Sequence, residues 1–269
     1  MSLPSFLTIR GRVGGIPAIL LGAVPIVAMF LVWWLFTYGA PEERRIAPTI
    51  LPSPIEVAQS VPDLVQGREL LHHVWASVRR VVFSFVLSLI VVLPIGILMG
   101  AFGSVNAIFK PVSTASGYIP IATLVPLTMS WFGIGEIQKI FFLAMAFGIY
   151  LLPLVVSAIE SVPDIYLRTS YTLGATRYDA IRHVLIPIAL PDLWHAMRLA
   201  FGVGWTYIVL AEVVVMVDGL GFLIQNSFRR GPREHIYLVI LVITLIAWAA
   251  DLGWERLGRV LFPYQRDRT

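Results

Sequence analysis

Six long apolar runs dominate the sequence, and they constrain its fold more than any other feature. A helix rises about 1.5 Å per residue and the hydrocarbon core of a bilayer is about 30 Å thick, so about 20 apolar residues can cross it. The runs occupy residues 16–38, 81–102, 111–131, 137–159, 193–217 and 236–252. The sequence therefore predicts an all-α, polytopic membrane protein with six transmembrane helices.

The composition agrees with this class. Of the 269 residues, 58% are hydrophobic and 13% are charged, whereas about 25% are charged in an average soluble domain. The absence of cysteine excludes disulfides, thiolate chemistry and cysteine metal sites. The net charge of +4 comes almost entirely from arginine. We interpret it as loop and tail charge near anionic membrane lipid, and we expect no binding of nucleic acid.

The first run, 16–38, is interpreted as a retained transmembrane helix. It is longer than the roughly 7–15 residues of a signal-peptide core, and it ends in a cluster of aromatic residues of the kind found at membrane interfaces. The polar, proline-rich connection after it, 39–80, is predicted to be extracytoplasmic. Within this connection, His72 and His73 are interpreted as interfacial residues and not as metal ligands, because adjacent helical positions point in different directions.

The third run is unusual for a membrane helix, because prolines and hydroxyl side chains interrupt it. Carbonyls that proline leaves free can be satisfied in a membrane only against other helices or a wet cavity. We therefore predict that this run lines a pathway, together with two residues of the fifth run; a kinked but inert span is the alternative. The candidate pathway and gate residues are Pro120, Thr123, Pro126, Thr128, Trp205 and Glu212.

Three carboxylate or guanidinium side chains fall within the predicted spans, where such a charge needs a partner or water. Glu212 either lines an outer gate or bonds to backbone and hydroxyl groups inside the bundle. Arg198 and Asp251 are expected at similar depth in neighbouring spans, where they could pair. The alternative is that Arg198 reaches lipid phosphate, while Asp251 bonds locally or meets Arg256.

A polar stretch, 161–191, separates the fourth and fifth runs. Ser161, Pro163 and Asp164 form a helix-start signal, and Gly174 stands where a left-handed cap would end that helix. A capping box then follows, formed by Thr176 and by an aspartate three residues later. The pattern predicts two short helices around a glycine hinge.

The second short helix of this stretch has an apolar face. Tyr178, Ile181 and Leu185 share that face, and Pro187 and Pro191 are expected to end the helix. Two short helices with apolar faces between membrane spans suggest a surface on which another protein docks. An interfacial helix that lies on lipid is the alternative.

The spacing of Gly174, Val184, Ile186 and Pro187 resembles the cytoplasmic "EAA" loop of binding-protein-dependent ABC importer permeases, whose pattern is E-A-A-x3-G-x9-I-x-L-P. In that family this loop is the coupling helix that fits a groove on the ATPase subunit. The resemblance implies that 161–191 is such a coupling loop.

The E-A-A triplet of the family falls on Arg168, Thr169 and Ser170. The family glutamate is therefore replaced by a cation, and any ion pair that it makes with the ATPase must here be absent, reversed or taken over elsewhere. The remaining residues that we assign to ATPase coupling are Leu173, Gly174, Ala175, Thr176, Tyr178, Ile181, Val184, Ile186 and Pro187.

Two further segments, LPSP at 51–54 and WFGIGE at 131–136, resemble the nitrate, sulfonate, taurine and bicarbonate branch of the same family. The resemblance implies a type I importer permease that takes a small anionic solute from an extracytoplasmic binding protein by alternating access. It also implies a homodimer with two ATPase subunits, which would supply ATP and Mg²⁺, and no cofactor in this chain.

The resemblance places the protein in the bacterial inner membrane with both termini in the cytoplasm. Arginine and lysine are divided almost equally between the two sides, so the charge bias does not set the orientation. We divide the chain into 1–71, with the N-terminal arm, first helix and outer loop, and 72–269, the permease core.

The alternative functions belong to other classes. A secondary transporter or channel should carry more charges within its spans or an internal inverted repeat. The chain is not expected to be an enzyme, and it cannot be the ATPase, because its only lysines, Lys110 and Lys139, do not stand in a phosphate-binding loop.

Overall fold

The computed structural model describes residues 15–40, 42, 44, 46–214 and 217–264, and it folds most of them into helices. In chain order the α-helices are α1 Ile16–Phe36, α2 Pro54–Gln59, α3 Leu70–Ala101, α4 Gly103–Ser116, α5 Leu124–Phe132, α6 Glu136–Glu160, α7 Asp164–Thr172, α8 Arg177–Asp179, α9 Ile186–Val214, α10 Leu220–Arg230 and α11 Glu234–Leu261. A 3₁₀ turn, Ile121–Thr123, precedes α5, and π-helical turns occupy Asp63–Gly67 and Ala180–Leu185.

Five helices of the described part are long and apolar enough to cross a membrane, and a sixth crossing is possible if two bent pieces form one span. Four of the five are α1, α3, α6 and α11. The fifth is a continuous helix from Arg177 to Val214, which contains α8, the second π turn and α9. The all-α polytopic fold is therefore confirmed, with boundaries that differ from the apolar runs.

The third predicted span is the bent pair. α4 and the segment Ile121–Phe132 meet at an angle of 90°, and Pro111 lies inside α4 instead of at the start of a span. The break falls at residues 117–120, where Pro120 is extended with ψ 111°. A proline disfavours helical geometry in the residue before it, so Pro120 ends the first helix and allows the chain to turn.

The second span was predicted too short. α3 begins at Leu70, so Arg80 lies inside the helix and not in the outer connection. His73, Ser77 and Arg80 are all buried, and they lie on one face of the helix at spacings of four and three residues. Hydropathy misses this part of α3 because its polar side chains point inward.

The core is formed by α3, α6 and α9. Glycines of α3 allow α6 to approach closely: a Cβ on Gly96 would lie 2.5 Å from Val155, and one on Gly100 would lie 2.6 Å from Ile159. Small residues at such contacts are the usual way to pack helices tightly in a membrane. These contacts make α3 and α6 parallel, so both run towards the end that carries the stretch 161–191.

The first helix has few contacts with the rest of the fold. Trp33 of α1 donates a hydrogen bond from Nε1 to the carbonyl of Pro52 at 2.8 Å, and its ring faces that of Tyr237 at 6.1 Å. The N-terminal arm with Arg10 and Arg12, which was predicted to be cytoplasmic, lies outside the described residues.

The last part of the chain contains two differences from the sequence reading. α10, between α9 and α11, was not predicted; it is a short amphipathic helix whose inner residues Leu220 and Leu223 are buried. α11 continues through Arg256 and Arg259 to Leu261, beyond the predicted sixth run, 236–252. The remaining tail arginines, Arg266 and Arg268, lie outside the described residues.

Candidate functional site

The stretch 161–185 lies at one end of the bundle, between the last residue of α6 and the first of α9. Its first helix, α7, begins at Asp164 after Pro163, as predicted. Ser161 does not cap it. Its hydroxyl donates to the carbonyl of Ala158 at 2.8 Å and to Asp192 Oδ2 at 3.2 Å, so it joins α6 to α9 instead.

The glycine hinge is confirmed. Gly174 has φ +86°, the left-handed region that only glycine enters easily. The N–H of Gly174 donates to the carbonyl of Tyr171 at 3.0 Å, and the N–H of Ala175 donates to that of Ser170 at 3.0 Å. This pair of bonds is a Schellman motif, which satisfies the last free carbonyls of α7 and turns the chain sharply.

The capping box is also confirmed. The N–H of Asp179 donates to Thr176 Oγ1 at 3.2 Å, and the N–H of Thr176 donates to Asp179 Oδ2 at 3.2 Å. Two donors at the start of the second helix are thereby satisfied by each other's side chains. Together with the Schellman motif, the capping box fixes the direction in which the second helix extends from the hinge.

The predicted end of the second helix is wrong. Pro187 and Pro191 do not stop it, because the helix runs on from Arg177 to Val214. Proline normally clashes with the carbonyl four residues earlier. For Pro187 that carbonyl belongs to His183, inside the wider π turn Ala180–Leu185. The loop is therefore joined rigidly to a membrane span.

The residues assigned to ATPase coupling fall into three groups by exposure. Ser170 is buried. The half-buried residues are Ala175, Ile181, Val184 and Ile186. The exposed residues are Arg168, Thr169, Leu173, Gly174, Thr176, Tyr178 and Pro187.

The predicted apolar face of the second helix is divided between the core and the surface. Ile181 and Leu185 pack into the main hydrophobic core of the bundle, whereas Tyr178 is 65% exposed. Large apolar side chains also project from α7 and the hinge, where Ile165 is 63% and Leu173 is 83% exposed. An exposed apolar tip on a rigid base is the form expected of a surface that docks another protein.

The six pathway candidates differ in their exposure. Pro120, Thr123 and Pro126 are exposed on the broken span. Thr128 and Trp205 are buried, and Thr128 accepts a hydrogen bond from Gln138 Nε2 at 3.0 Å. Glu212 is buried in a polar cluster. Their role in a pathway stays a prediction.

That cluster lies at the end of the bundle opposite the stretch 161–185, and Arg80 is its centre. Arg80 Nη1 donates to Glu212 Oε1 at 2.7 Å, and neither side chain is exposed. Its Nη2 donates to Glu136 Oε1 at 2.5 Å and also to Asp218. One guanidinium therefore joins α3, the start of α6, the end of α9 and the turn before α10.

The remaining bonds satisfy Glu212 from other sides. Its oxygens accept from the hydroxyl of Ser77 at 2.7 and 2.9 Å and from the N–H of Gly221 at 2.8 Å. A Cβ on Gly221 would lie 2.8 Å from that of Glu212, so the start of α10 needs glycine there. Of the two environments weighed for Glu212, the structure has the one bonded inside the bundle.

Charge in the cluster is nearly balanced. Three carboxylates face Arg80 and the buried Lys139, which lies 3.3 Å from Glu136 and 3.7 Å from Asp218. Partial burial alone would raise the pKa of Asp218, but the hydrogen bond and charge of Arg80 hold that pKa below its ordinary value. Asp218, which lies in the turn before α10, therefore carries a negative charge that helps to balance Arg80 and Lys139.

The sequence reading missed Arg80 as a site residue. A signal was present, because His73, Ser77, Arg80 and Ser84 recur at helical spacing, and all four are buried. An inward polar stripe that continues into an apolar run indicates a polar cluster inside the bundle.

The predicted pair of Arg198 and Asp251 is confirmed. Arg198 donates from Nε and Nη2 to the two oxygens of Asp251, each at 2.6 Å. Glu255 accepts a further bond from Arg198 at 3.3 Å and lies 3.1 Å from Arg259. The pair joins α9 to α11 in the half of the bundle near the stretch 161–185.

Comparison with known proteins places these features in a family. Residues 92–263 match the family described as "Binding-protein-dependent transport system inner membrane component". The chain is 29% identical over 244 residues to the taurine transport system permease protein TauC of Escherichia coli (strain K12), covering 89% of this chain and 87% of that protein.

Other relatives are similar along most of their length. A putative ABC transporter permease protein, MJ0413 of Methanocaldococcus jannaschii, is 30% identical over 81% of this chain and 84% of its own. The putative aliphatic sulfonates transport permease protein SsuC of Bacillus subtilis (strain 168) is 25% identical over 95% of this chain and 90% of its own.

The fold is similar to that of a solved transporter. A chain from the inward-facing MetNI methionine ABC transporter superposes with a TM-score of 0.65 at 21% identity, covering 71% of this chain and 95% of that one. The fold of the superposed part of this chain is therefore a known arrangement.

Proposed function

This chain belongs to the family of binding-protein-dependent transport system inner membrane components, and from that premise we propose how it acts within its importer. It is a multi-pass inner membrane protein, the permease component of an ABC importer, and not an enzyme. We consider in turn the surface that docks the ATPase, the helix that transmits force, the partner subunits and the solute.

The coupling surface is the exposed tip of the stretch 161–185. It docks into a groove of the partner ATPase, which binds ATP and Mg²⁺. The observation that carries this assignment is the exposure of Leu173, at 83%, on a loop that the Schellman motif and the capping box hold in one shape. Arg168, exposed where the family has glutamate, meets an acidic group of the ATPase instead of a basic one.

The loop transmits force because it continues into a membrane span. A helix unbroken from Arg177 to Val214 transfers a displacement of the tip to the opposite end of the bundle, about 55 Å away at about 1.5 Å per residue. When ATP closes the two ATPase subunits, the docked loops move with them. The two permease halves then rock, and the pathway opens alternately to either side.

The complete importer contains two copies of this chain in the lipid bilayer, two ATPase subunits and an extracytoplasmic binding protein. The end that carries the Arg80 cluster faces the binding protein, and both termini lie in the cytoplasm. Residues 72–269 form the permease core, while 1–71 form an N-terminal arm, a peripheral first helix and the outer loop.

The solute is a small anion. Taurine, aliphatic sulfonates and nitrate appear in the names of similar permeases, and each carries several oxygens that accept hydrogen bonds. The binding protein selects among such anions, so the permease needs only a route that accepts their common oxyanion group.

The proposal is tested by reconstitution. The chain, co-expressed with its partner ATPase and binding protein, should form a complex in proteoliposomes that takes up a sulfonate or nitrate when ATP is supplied. The chain alone should hydrolyse no ATP. ATP hydrolysis by a preparation shown to contain only this chain, or uptake that continues without the ATPase, would contradict the assignment.

A further inference from the structure

A polar groove runs between α6 and α9 and is open to the surface of the bundle. At its head Tyr150 of α6 and Tyr207 of α9 meet, with their hydroxyl oxygens 3.2 Å apart and their rings stacked with centroids 6.2 Å apart. Tyr150 is 40% exposed. At about 1.5 Å per residue it lies about 21 Å from the first residue of α6 and about 15 Å from the last, which is near the middle of the membrane.

A tyrosine pair facing hydrocarbon at this depth would be unfavourable. Each hydroxyl has one proton, so when one donates to the other, the second proton still needs an acceptor. Lipid tails offer none, and polar groups at this depth are stable only against protein, water or a solute. The hydroxyl pair therefore indicates a wet surface.

The groove continues from the tyrosines towards the coupling loop. A cavity of about 190 Å³ lies between α6 and α9 on that side of the tyrosines. Its wall is half polar, with Ser157, Ser161, Asp192 and His195, and half apolar, with Leu154, Ala158, Ala196 and Leu199. On α6, Tyr150, Ser157 and Ser161 follow one helical face at spacings of seven and four residues. Polar side chains therefore recur along the groove from the middle of the membrane to the coupling end, with Leu154 and Leu199 between the tyrosines and the cavity's polar residues.

Exposed positions on other faces of the spans differ from those of the groove in their polarity and size. On α3 the exposed side chains between the Arg80 cluster and this depth are apolar, among them Val86, Ile90 and Val91. On the groove side of α9 the exposed positions include Gly202 and Thr206, which are small and leave room beside the tyrosines. The contrast separates a lipid-facing surface from one that faces water.

We propose that this groove is the route of the solute to the cytoplasm, and that the hydroxyls of Tyr150 and Tyr207 donate hydrogen bonds to an oxyanion group as it passes. This inference rests on the proposed function. Neutral hydroxyls recognise the oxygens of a sulfonate or nitrate without the strong attraction of a fixed cation. Asp192, at the cytoplasmic end, repels an anion and so favours its release.

The absence of cysteine from the sequence permits a direct test of water access. Single cysteines are placed at Ser157 and Thr206 in the groove and at Val86 on α3. The full complex in proteoliposomes is then treated with 2-sulfonatoethyl methanethiosulfonate, a small sulfonate. Because only a hydrated thiolate reacts, Ser157→Cys and Thr206→Cys should label at least about tenfold faster than Val86→Cys.

A second measurement tests the hydroxyls themselves. In the Tyr150→Phe, Tyr207→Phe double variant the rings are kept and two donors are lost, so ATP-driven uptake at saturating loaded binding protein should fall roughly tenfold. Tyr38→Phe, at the exposed end of α1, is the matched control and should transport like the wild type.

The outcomes separate the inference from the proposed function. Slow labelling of both groove cysteines, at the rate of Val86→Cys, would overturn the inference and would indicate that lipid or a second copy covers this face. Full uptake by the double phenylalanine variant would also overturn it. Labelling needs no transport, so fast labelling of the groove cysteine variants together with a wild-type complex that imports nothing would contradict the proposed function alone. If the double variant does not assemble, the cysteine labelling decides.

Discussion

Arg80 and Glu212 form an ion pair in which neither side chain is exposed, with Nη1 and Oε1 2.7 Å apart. The pair connects residues 132 positions apart and holds α3 to the end of α9. Since Arg80 also binds Glu136 and Asp218, the ends of three spans and the turn before α10 form one rigid unit. In the proposed importer, the binding protein would therefore contact a surface that moves as one rigid body.

The first prediction concerns this pair. Arg80→Met should lower the free energy of unfolding by about 3–5 kcal/mol, because it leaves the carboxylate of Glu212 buried without its cation. Arg80→Met combined with Glu212→Gln should recover part of the loss. Thermal unfolding in detergent measures both.

Arg79 provides the matched control, since it is adjacent, 47% exposed and 3.5 Å from Glu136. Arg79→Met should cost less than about 1 kcal/mol, as for most exposed pairs. Equal losses for the two arginines would mean that the buried cluster contributes nothing beyond a surface ion pair.

The sequence predicted the parts of the fold that depend on local chemistry. Gly174 and the capping box of Thr176 were identified, because a left-handed cap and a box need particular residues at fixed spacing. The Arg198–Asp251 pair could be inferred from depth alone, because two opposite charges in neighbouring spans have few other partners.

The burial of Arg80 and the continuation of the helix through Pro187 could not be predicted in the same way. Arg80 is adjacent to Arg79 in sequence, and only its partners on α6 and α9 distinguish a buried guanidinium from an exposed one. The π turn that accommodates Pro187 is likewise held by packing, since Leu185 and Ala180 of that turn are buried. Both features depend on contacts between distant segments.

A second prediction concerns Arg198 and Asp251. In a double-mutant cycle of Arg198→Ala and Asp251→Ala, the coupling energy should be about 1 kcal/mol. The value is moderate because the two side chains are 24% and 48% exposed, although two parallel bonds favour the pair. Exchanging the two charges should restore part of the stability lost in either single variant.

Glu255 serves as the control for this cycle, since its bond to Arg198 is longer, at 3.3 Å. Glu255→Ala should lower the melting temperature less than Asp251→Ala. Strict additivity of the Arg198 and Asp251 losses, with no recovery on exchange, would indicate that each charge is stabilised separately.

A third prediction concerns the start of the second helix in the coupling loop. Thr176→Ala removes the oxygen that accepts the N–H of Asp179, and losing an N-cap of this kind costs about 1 kcal/mol. The amides of 177–180 should therefore exchange with deuterium roughly fivefold faster. Thr172→Ala is the control, because its hydroxyl bonds only to the carbonyl of Thr169; if both variants exchange alike, the box does not hold the loop.

The last prediction concerns the hinge itself. A side chain at Gly174 would meet nothing within 4 Å, so any effect of substitution comes from the backbone angle, φ +86°, and not from a clash. Gly174→Val should therefore cost about 1–2 kcal/mol locally and turn the tip away from the ATPase groove. Gly174→Asn adds a side chain of similar size but tolerates the left-handed region, so it should cost less. We expect co-purification with the ATPase to weaken strongly for valine and slightly for asparagine, while both variants insert into the membrane normally. Equal retention of the ATPase by the valine and asparagine variants would show that the hinge angle does not position the docking surface.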